Sequence, residues 1–224
     1  MSEPIEVVRH ARARRARLSI DPASGRTRLT LPPRAPLGAA LRWAESQHEW
    51  IAAQRARLPE PRPFVPGGTL PYRGVALTID WRETEPRRVS IDGERLICGG
   101  PRDGLARRIT AWLKRQALAL VEEETAAYAR AAGVSVERVA IGDPKGRWGS
   151  CSSKGAIRYS WRLILAPDHV RRATVAHEVT HRLHMDHGPE FHAAVARLYG
   201  EDPAPSRAWL RAHGAALHWV GRDS

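Results

Sequence analysis

The segment HEVTH at positions 177–181 contains residue types that bind metal ions and transfer protons. In a helix, His177 and His181 lie one turn apart on the same face, close enough to bind a single cation. Zinc binds neutral imidazole nitrogen, and a catalytic zinc site uses three protein ligands and keeps a fourth position for water. Glu178 can accept a proton from water there and return it to a leaving group. The segment therefore predicts a catalytic metal site with Glu178 as general base.

Four residues beyond this segment are candidates for the third ligand: His184, His187, Glu190 and His192. A helix rises 1.5 Å per residue, which places His184 about 10 Å from His177 along a straight axis and makes it a poor ligand. The turn-forming sequence DHGP at positions 186–189 allows the chain to reverse and to bring His187 back toward the first two histidines. We predict His187 as the third ligand, with Glu190 or His192 as the alternative.

An HExxH pattern also occurs by chance in helices that bind no metal. In this chain, however, eight of the ten histidines lie between His169 and His218. Clustered histidines add little to the stability of a helix unless they bind a ligand or titrate. The clustering therefore favours a metal site, although His169, His213 and His218 are individually expected to be ordinary core or surface residues.

Four motifs occur in a fixed order: RWGSCS at 147–152, WRLILAP at 161–167, HEVTH at 177–181 and HMDHGPEF at 184–191. Together they resemble the YgjP-like zinc metallopeptidases, whose catalytic half is similar to that of SprT-like and other minimal zincins. The resemblance implies a zinc site of three histidines, His177, His181 and His187, with Glu178 as base. Two departures, DHG at 186–188 for the usual Asn-His-Ser and His192 where tryptophan is usual, remove none of these ligands.

Three residues are candidates for binding the substrate or stabilising an oxyanion: Arg147, Tyr159 and Arg162. Arg147 opens the RWGSCS motif and can present a positive charge to a developing oxyanion or a phosphate. The alternative role for this motif is packing, with Trp148 in the core and Gly149 allowing a close approach of the backbone. Cys151 is expected to be a buried thiol, because no triad pattern accompanies it.

The elements that would hold this site are expected in the second half of the chain. The segment from about Gly104 to Ala132 predicts a long amphipathic helix that is closed by Gly133. Strands are expected at 136–141 and 156–165.

The helix that carries HEVTH is expected to begin at Pro167 and to run to about Met185. Val175, Val179 and Leu183 recur at the spacing of one helical face and are expected to face the core. Two further helices are expected to begin at Pro189 and Pro203.

The first 100 residues are expected to be rich in β-structure, with one prominent helix. The predicted segments are a hairpin of strands at 6–20 and 26–31, a helix at 37–58, and an antiparallel meander at 75–81, 89–91 and 96–98. We therefore predict an α+β fold with a zincin-like metallohydrolase domain at 101–224, which contains the HExxH helix, preceded by a basic β-rich accessory region at 1–100.

The formal net charge of +12 attracts anionic partners, and the densest basic run lies at 9–17. This N-terminal region is a candidate for binding a nucleotide or nucleic acid, although few aromatic residues lie nearby for stacking on bases. No apolar run is long enough to span a bilayer, no secretory signal is visible, and the two cysteines form no CxxC pair. We expect a cytoplasmic protein with no membrane partner.

The expected function is zinc-dependent hydrolysis of peptide bonds in a peptide or protein substrate. Two alternatives remain open. A metal-dependent phosphohydrolase would use the same site on nucleotides, which the arginine-rich chain would attract. A nucleic-acid-associated zinc protein would use the metal only for structure, but such a site has no need of Glu178.

Overall fold

The structure is a computed structural model that describes residues 4–223, so the extreme ends of both predicted domains lie outside the described residues. The chain forms two compact units: the first ends at Glu60 and the second begins at Pro61. The predicted accessory region 1–100 thus contains the first unit together with the start of the second. The assignment of catalysis to 101–224 stays a prediction.

The first unit packs two helices against a three-stranded sheet. Its elements are β1 (Glu6–Arg9), β2 (Arg17–Ile20), β3 (Thr27–Leu31), α1 (Leu37–Ser46) and α2 (His48–Arg55). Strand β3 lies between β1, which is parallel to it, and β2, which is antiparallel. The predicted single strand 6–20 is therefore wrong, because the chain must turn between β1 and β2 to reach the other edge of β3. The predicted helix 37–58 is likewise interrupted at Gln47.

The second unit begins with a four-stranded sheet. Its strands are β4 (Thr69–Tyr72), β5 (Val75–Arg82), β6 (Val89–Asp92) and β7 (Arg95–Gly99), in the order β4-β5-β7-β6. The three predicted strands are confirmed, but β5 and β7 are parallel, so the antiparallel meander is wrong. The tight β6–β7 hairpin inserts β7, rather than β6, beside β5. Strand β4 was not predicted from the sequence.

Helix α3 (Leu105–Ala132) confirms the predicted long helix and supports both cores of the second unit. Its first half packs against the four-stranded sheet through residues that include Ile109 and Leu113. Its second half packs against the region around the histidines through residues that include Val121. The helix ends at Gly133, whose φ of 66° is favourable for glycine.

A third sheet leads into the histidine-bearing helix. Its strands are β8 (Arg138–Gly142), β9 (Gly149–Cys151) and β10 (Ala156–Ser160), with β10 in the centre, parallel to β8 and antiparallel to β9. The predicted strand 156–165 is correct only as far as Ser160. Residues 161–165 form a buried 3-10 helix, because the Ser160 hydroxyl accepts a hydrogen bond from the backbone N–H of Arg162 and turns the chain.

The last three helices are α4 (Asp168–Thr180), α5 (Pro189–Tyr199) and α6 (Ala204–Leu217). Helix α4 ends five residues earlier than predicted, at Thr180. Val175 and Val179 are fully buried as expected, but Leu183 is 47% exposed because it lies beyond the helix end. The expected starts of α5 and α6 near prolines are confirmed.

A buried ion pair ties α4 to α3. The guanidinium of Arg171 is only 1% exposed, and it donates hydrogen bonds to Glu124 on α3 and to Asp168 at the start of α4. Removal of one partner from such a buried pair typically costs about 3–5 kcal/mol, since the other charge is left without compensation. This contact therefore sets the position of the helix that carries His177.

Among the described residues, six α-helices and three small sheets agree with the predicted α+β class. None of these helices combines the length and the apolar character that a bilayer-spanning helix requires.

Candidate metal centre

Three imidazole rings converge where α4 ends. His177 lies in the last turn of α4, His181 is its C-terminal cap, and the following turns bring His187 back toward both. One ring nitrogen from each lies within 4.8 Å of the others, and the Nε2 atoms of His177 and His187 are 3.3 Å apart. The early end of α4 makes this possible, because a helix continued to Met185 would have carried the chain away from the site.

Phe191 packs against all three rings from the first turn of α5. Its ring centre lies 4.8 Å from that of His177, 4.6 Å from that of His181 and 4.7 Å from that of His187. Phe191 is fully buried, so it forms an apolar support behind the histidines. Because Phe191 follows His187 by four residues and lies in the first turn of α5, the position of this turn affects the positions of the three histidine rings.

Hydrogen bonds in the turn after α4 orient the cluster. The Nδ1–H of His181 donates to the carbonyl of His184 at 3.1 Å, which leaves Nε2 of His181 to face the other two rings. Such a bond to the second ring nitrogen is the usual way in which a metal-binding histidine is held in one tautomer. The backbone N–H of Gly188 donates to Asp186 at 3.0 Å and stabilises the turn that precedes α5.

The three histidines meet the chemical requirements of a zinc site. Burial, together with the neighbouring His181 and His187, lowers the pKa of His177 to about 4. Burial also lowers the pKa of His181. The imidazoles of His177 and His181 therefore favour the neutral form, which is the form that binds a metal. Three converging imidazole nitrogens fit zinc or a similar transition metal and are unlike the oxygen-rich sites of calcium or magnesium.

Glu178 is a buried carboxyl group beside this cluster. Its exposure is only 5%, and burial raises its pKa to about 7, although the positive charge of Arg147 opposes part of this increase. A group with a pKa near neutrality can both accept and donate a proton at physiological pH.

Gly149 on β9 provides the space for the Glu178 side chain. A Cβ atom at position 149 would lie 2.6 Å from Cγ of Glu178 and closer still to its Oε1. Only glycine permits this contact. The Trp148 ring beside it stacks on His218 at 5.3 Å and packs against Gly214, where a Cβ would lie 2.7 Å from the ring. Trp148 thus packs against both cores of the second unit, as expected, although it is only partly buried, and Gly149 allows a close approach of the Glu178 side chain.

A cavity of about 270 Å³ opens onto Glu178 and His177. Its walls combine aliphatic side chains with two arginines, Arg147 and Arg207. Its lining residues are Arg147, Trp148, Gly149, Ala173, Thr174, His177, Glu178, Val195, Pro203, Ser206, Arg207 and Leu210. Arg207, on α6, was not predicted from the sequence, because it belongs to no motif and reaches the cavity only through the packing of α6.

The candidate substrate residues separate into two groups. Arg147 lines the cavity, as predicted. Tyr159, in contrast, is fully buried in the core, where its hydroxyl lies 3.0 Å from that of Thr125. Arg162 is also buried, and its guanidinium pairs with Asp143 at 2.7 Å. Neither Tyr159 nor Arg162 lines the cavity that contains Glu178 and His177, so the structure does not place either side chain where it could contact a substrate there.

The alternative third ligands do not join the cluster. Among the described residues, the group of metal-binding side chains at this site consists of His177, His181 and His187. His192 is exposed, and its ring centre lies 6.5 Å from that of His187. Cys151 is half-buried, and burial raises the pKa of its thiol, which is unfavourable for a nucleophile.

Replacing Gly149 by alanine is expected to lower hydrolytic turnover by about 10²-fold, since a misplacement of about 1 Å in a reacting group has this effect. The added methyl group must displace Glu178 and leaves the histidines in place, so bound zinc should be unchanged. Gly146→Ala is the matched control, because a Cβ there meets no atom within 4 Å. Steady-state kinetics and metal analysis test this. Equal activity of the two variants would show that Gly149 does not position Glu178.

Comparison with known proteins gives one match. The model of the YgjP-like metallopeptidase domain family matches residues 14–213. Neither the comparison with curated proteins nor that with solved structures gave a match. The family match includes the histidine cluster, Glu178 and the strands of the third sheet, and it confirms the resemblance that the four motifs indicated. The chain therefore belongs to the YgjP-like metallopeptidase family.

Proposed function

We propose that this protein is a zinc-dependent hydrolase that cleaves peptide bonds in a cytoplasmic peptide or protein substrate. His177, His181 and His187 would hold the zinc ion, and Glu178 would act as general base. The observation that carries the proposal is the position of a buried carboxyl group beside three converging imidazole rings, and burial raises the pKa of that carboxyl group to about 7.

A bound zinc ion supplies a Lewis acid that acidifies water and polarises a carbonyl group. The remaining steps belong to side chains of the chain itself. The carboxylate of Glu178 accepts the proton of the attacking water and then donates it to the nitrogen of the leaving amine. Its burial limits access of bulk water, which would otherwise solvate the carboxylate and weaken it as a base.

Arg147 is well placed to complement charge that develops on the substrate. It lines the cavity that contains Glu178 and lies near enough to lower the pKa of that carboxyl group. A positive charge at the rim stabilises an oxyanion on the carbonyl under attack. Arg147 therefore remains our candidate for this role, while Tyr159 and Arg162 are withdrawn on their positions in the core.

A second candidate function is metal-dependent hydrolysis of phosphoesters such as nucleotides. The observation that favours it is the presence of two arginines, Arg147 and Arg207, in the wall of the same cavity. Arginine is well suited to phosphate because it offers paired donors. The third possibility, a nucleic-acid-associated zinc protein, leaves the buried Glu178 without a role, and we do not favour it.

A substrate panel tests the proposal. The zinc-loaded protein is incubated with a diverse peptide mixture and, separately, with nucleoside triphosphates. New peptide termini found by mass spectrometry are expected, and they should disappear on chelation and return with added zinc. Phosphate release from the nucleotides with no peptide cleavage would replace our proposal by the phosphohydrolase. Salt-sensitive binding of DNA with no hydrolysis of either class would favour the structural-zinc alternative.

A further inference from the structure

The outer face of the third sheet contains a second concavity, of about 320 Å³. Three arginines, Arg138 on β8, Arg158 on β10 and Arg147 in the loop before β9, form its walls. The other lining residues are small or only slightly polar: Ala140, Ser150, Cys151, Ser152, Ala156 and Ile157.

The register of the strands explains why this face is hollow. Arg158 is paired with Ala140 on one side and with Ser150 on the other. Arg138 is paired with Ala156. Paired residues on neighbouring strands present their side chains on the same face of a sheet. Each arginine therefore lies beside much smaller side chains. Ala140, Ser150 and Ala156 form the bottom of the concavity, and the arginines form its sides.

The charged residues that line this concavity are all positive. No aspartate or glutamate lines it. Within residues 4–223, none of the three arginines forms an ion pair or a side-chain hydrogen bond, whereas Arg73, Arg162 and Arg171 of the same unit each pair with a carboxylate. Like charges that share a small concavity repel each other, and a bound anion relieves this repulsion.

The concavity and the cavity that contains Glu178 share one lining residue. Arg147 lines both this concavity and the cavity that contains Glu178. A peptide that extends from Glu178 past Arg147 would bring a neighbouring side chain to the three arginines. No aromatic residue lines the concavity, so it lacks a surface on which a nucleic acid base could stack.

We propose that Arg138, Arg147 and Arg158 form an anion subsite that binds an acidic side chain of the peptide substrate close to the bond that is cleaved. The assignment to a peptide rests on the proposed function. An aspartate, a glutamate or a phosphorylated serine offers the same chemistry, a compact anion that accepts hydrogen bonds from guanidinium groups.

Binding measurements test this subsite without relying on turnover. Fluorescein-labelled alanine–serine peptides with a single glutamate at each position in turn are titrated against the zinc-loaded Glu178→Gln protein by fluorescence anisotropy. Matched sets carry glutamine or phosphoserine instead. We expect at least one glutamate peptide to bind about tenfold more tightly than its glutamine counterpart, as is typical of one charge-assisted contact. The phosphoserine set shows whether carboxylate or phosphate is preferred.

The variant Arg138→Gln/Arg158→Gln is expected to remove this preference and to leave the affinity for glutamine peptides unchanged. Arg147 is retained in this variant because it also lines the catalytic cavity. Arg107→Gln/Arg115→Gln, at two exposed positions of α3 that line neither cavity, controls for the loss of two positive charges. Thermal melting verifies that the variants are folded, as expected for exposed side chains without partners in the described residues.

Three results would overturn the subsite. The first is no difference between glutamate and glutamine peptides, and the second is an equal loss in the Arg107→Gln/Arg115→Gln control. The third is a single-stranded oligonucleotide that binds more tightly than every acidic peptide and depends on Arg138 and Arg158. Failure of the proposed function appears differently. In that case the parent protein cleaves no peptide, while the arginine-dependent preference for glutamate persists in the binding assay.

Discussion

Replacing Glu178 by glutamine is expected to lower the rate of peptide hydrolysis by about 10² to 10⁴-fold, the usual contribution of a general acid–base residue. Glutamine has nearly the same shape as glutamate but accepts no proton at physiological pH. Because the side chain is buried against Gly149, the substituted amide should occupy the same space and leave the histidines in place. Zinc content should therefore equal that of the parent protein.

The measurement combines kcat and KM with elemental analysis of the same preparation. A large decrease in kcat with unchanged zinc content supports Glu178 as the base. Loss of zinc together with activity would instead indicate that the carboxylate stabilises the metal site. A Glu178→Gln protein that is as active as the parent would remove this mechanism. Glu178 does not belong to the histidine cluster, so its replacement can change kcat without changing the zinc content.

Replacing His187 by alanine is expected to weaken zinc binding by more than 10²-fold. Substitutions of residues that merely support a metal ligand cost 10 to 100-fold in affinity, and removal of a ligand should exceed this. His177 and His181 would remain on one turn of α4, where two imidazoles alone give an incomplete site. His187 is the ligand candidate that depends on the chain reversal after α4.

Competition with a metal-sensitive chelator, followed by elemental analysis, measures this loss. His192→Ala is the matched control, because His192 is also exposed and follows His187 by five residues, yet it does not belong to the cluster. Zinc retention should be normal in His192→Ala and lost in His187→Ala. Loss of zinc from His192→Ala with normal retention in His187→Ala would identify His192, on α5, as the third ligand. This result would contradict the geometry described above.

Local chemistry made several features predictable from the sequence. The spacing of His177 and His181 specifies two rings on one helical face, and the turn-forming residues before Pro189 allow the reversal that brings His187 back. The long helix α3 could be predicted because apolar residues recur at helical spacing without interruption until Gly133. The motifs also identified the family, which the match over residues 14–213 confirms.

Features that depend on distant partners could not be predicted in this way. A hydrophobic period cannot show that β7 pairs with β5, nor that β1 and β2 lie on opposite edges of β3, because pairing depends on residues far away in the sequence. The end of β10 at Ser160 depends on one side-chain hydrogen bond. Tyr159 and Arg162 have chemically suitable groups, yet their partners Thr125 and Asp143 hold them in the core.

The sequence by itself determined which side chains could form the candidate site, three histidines and one glutamate, and the family in which that set occurs. The tertiary structure alone decided which other groups surround that chemistry. It brought Arg207 to the cavity, placed Gly149 against Glu178, and grouped Arg138 and Arg158 with Arg147. The physical reason is that ligand spacing is set by helix geometry within a few residues, whereas burial and charge environment depend on how distant segments pack.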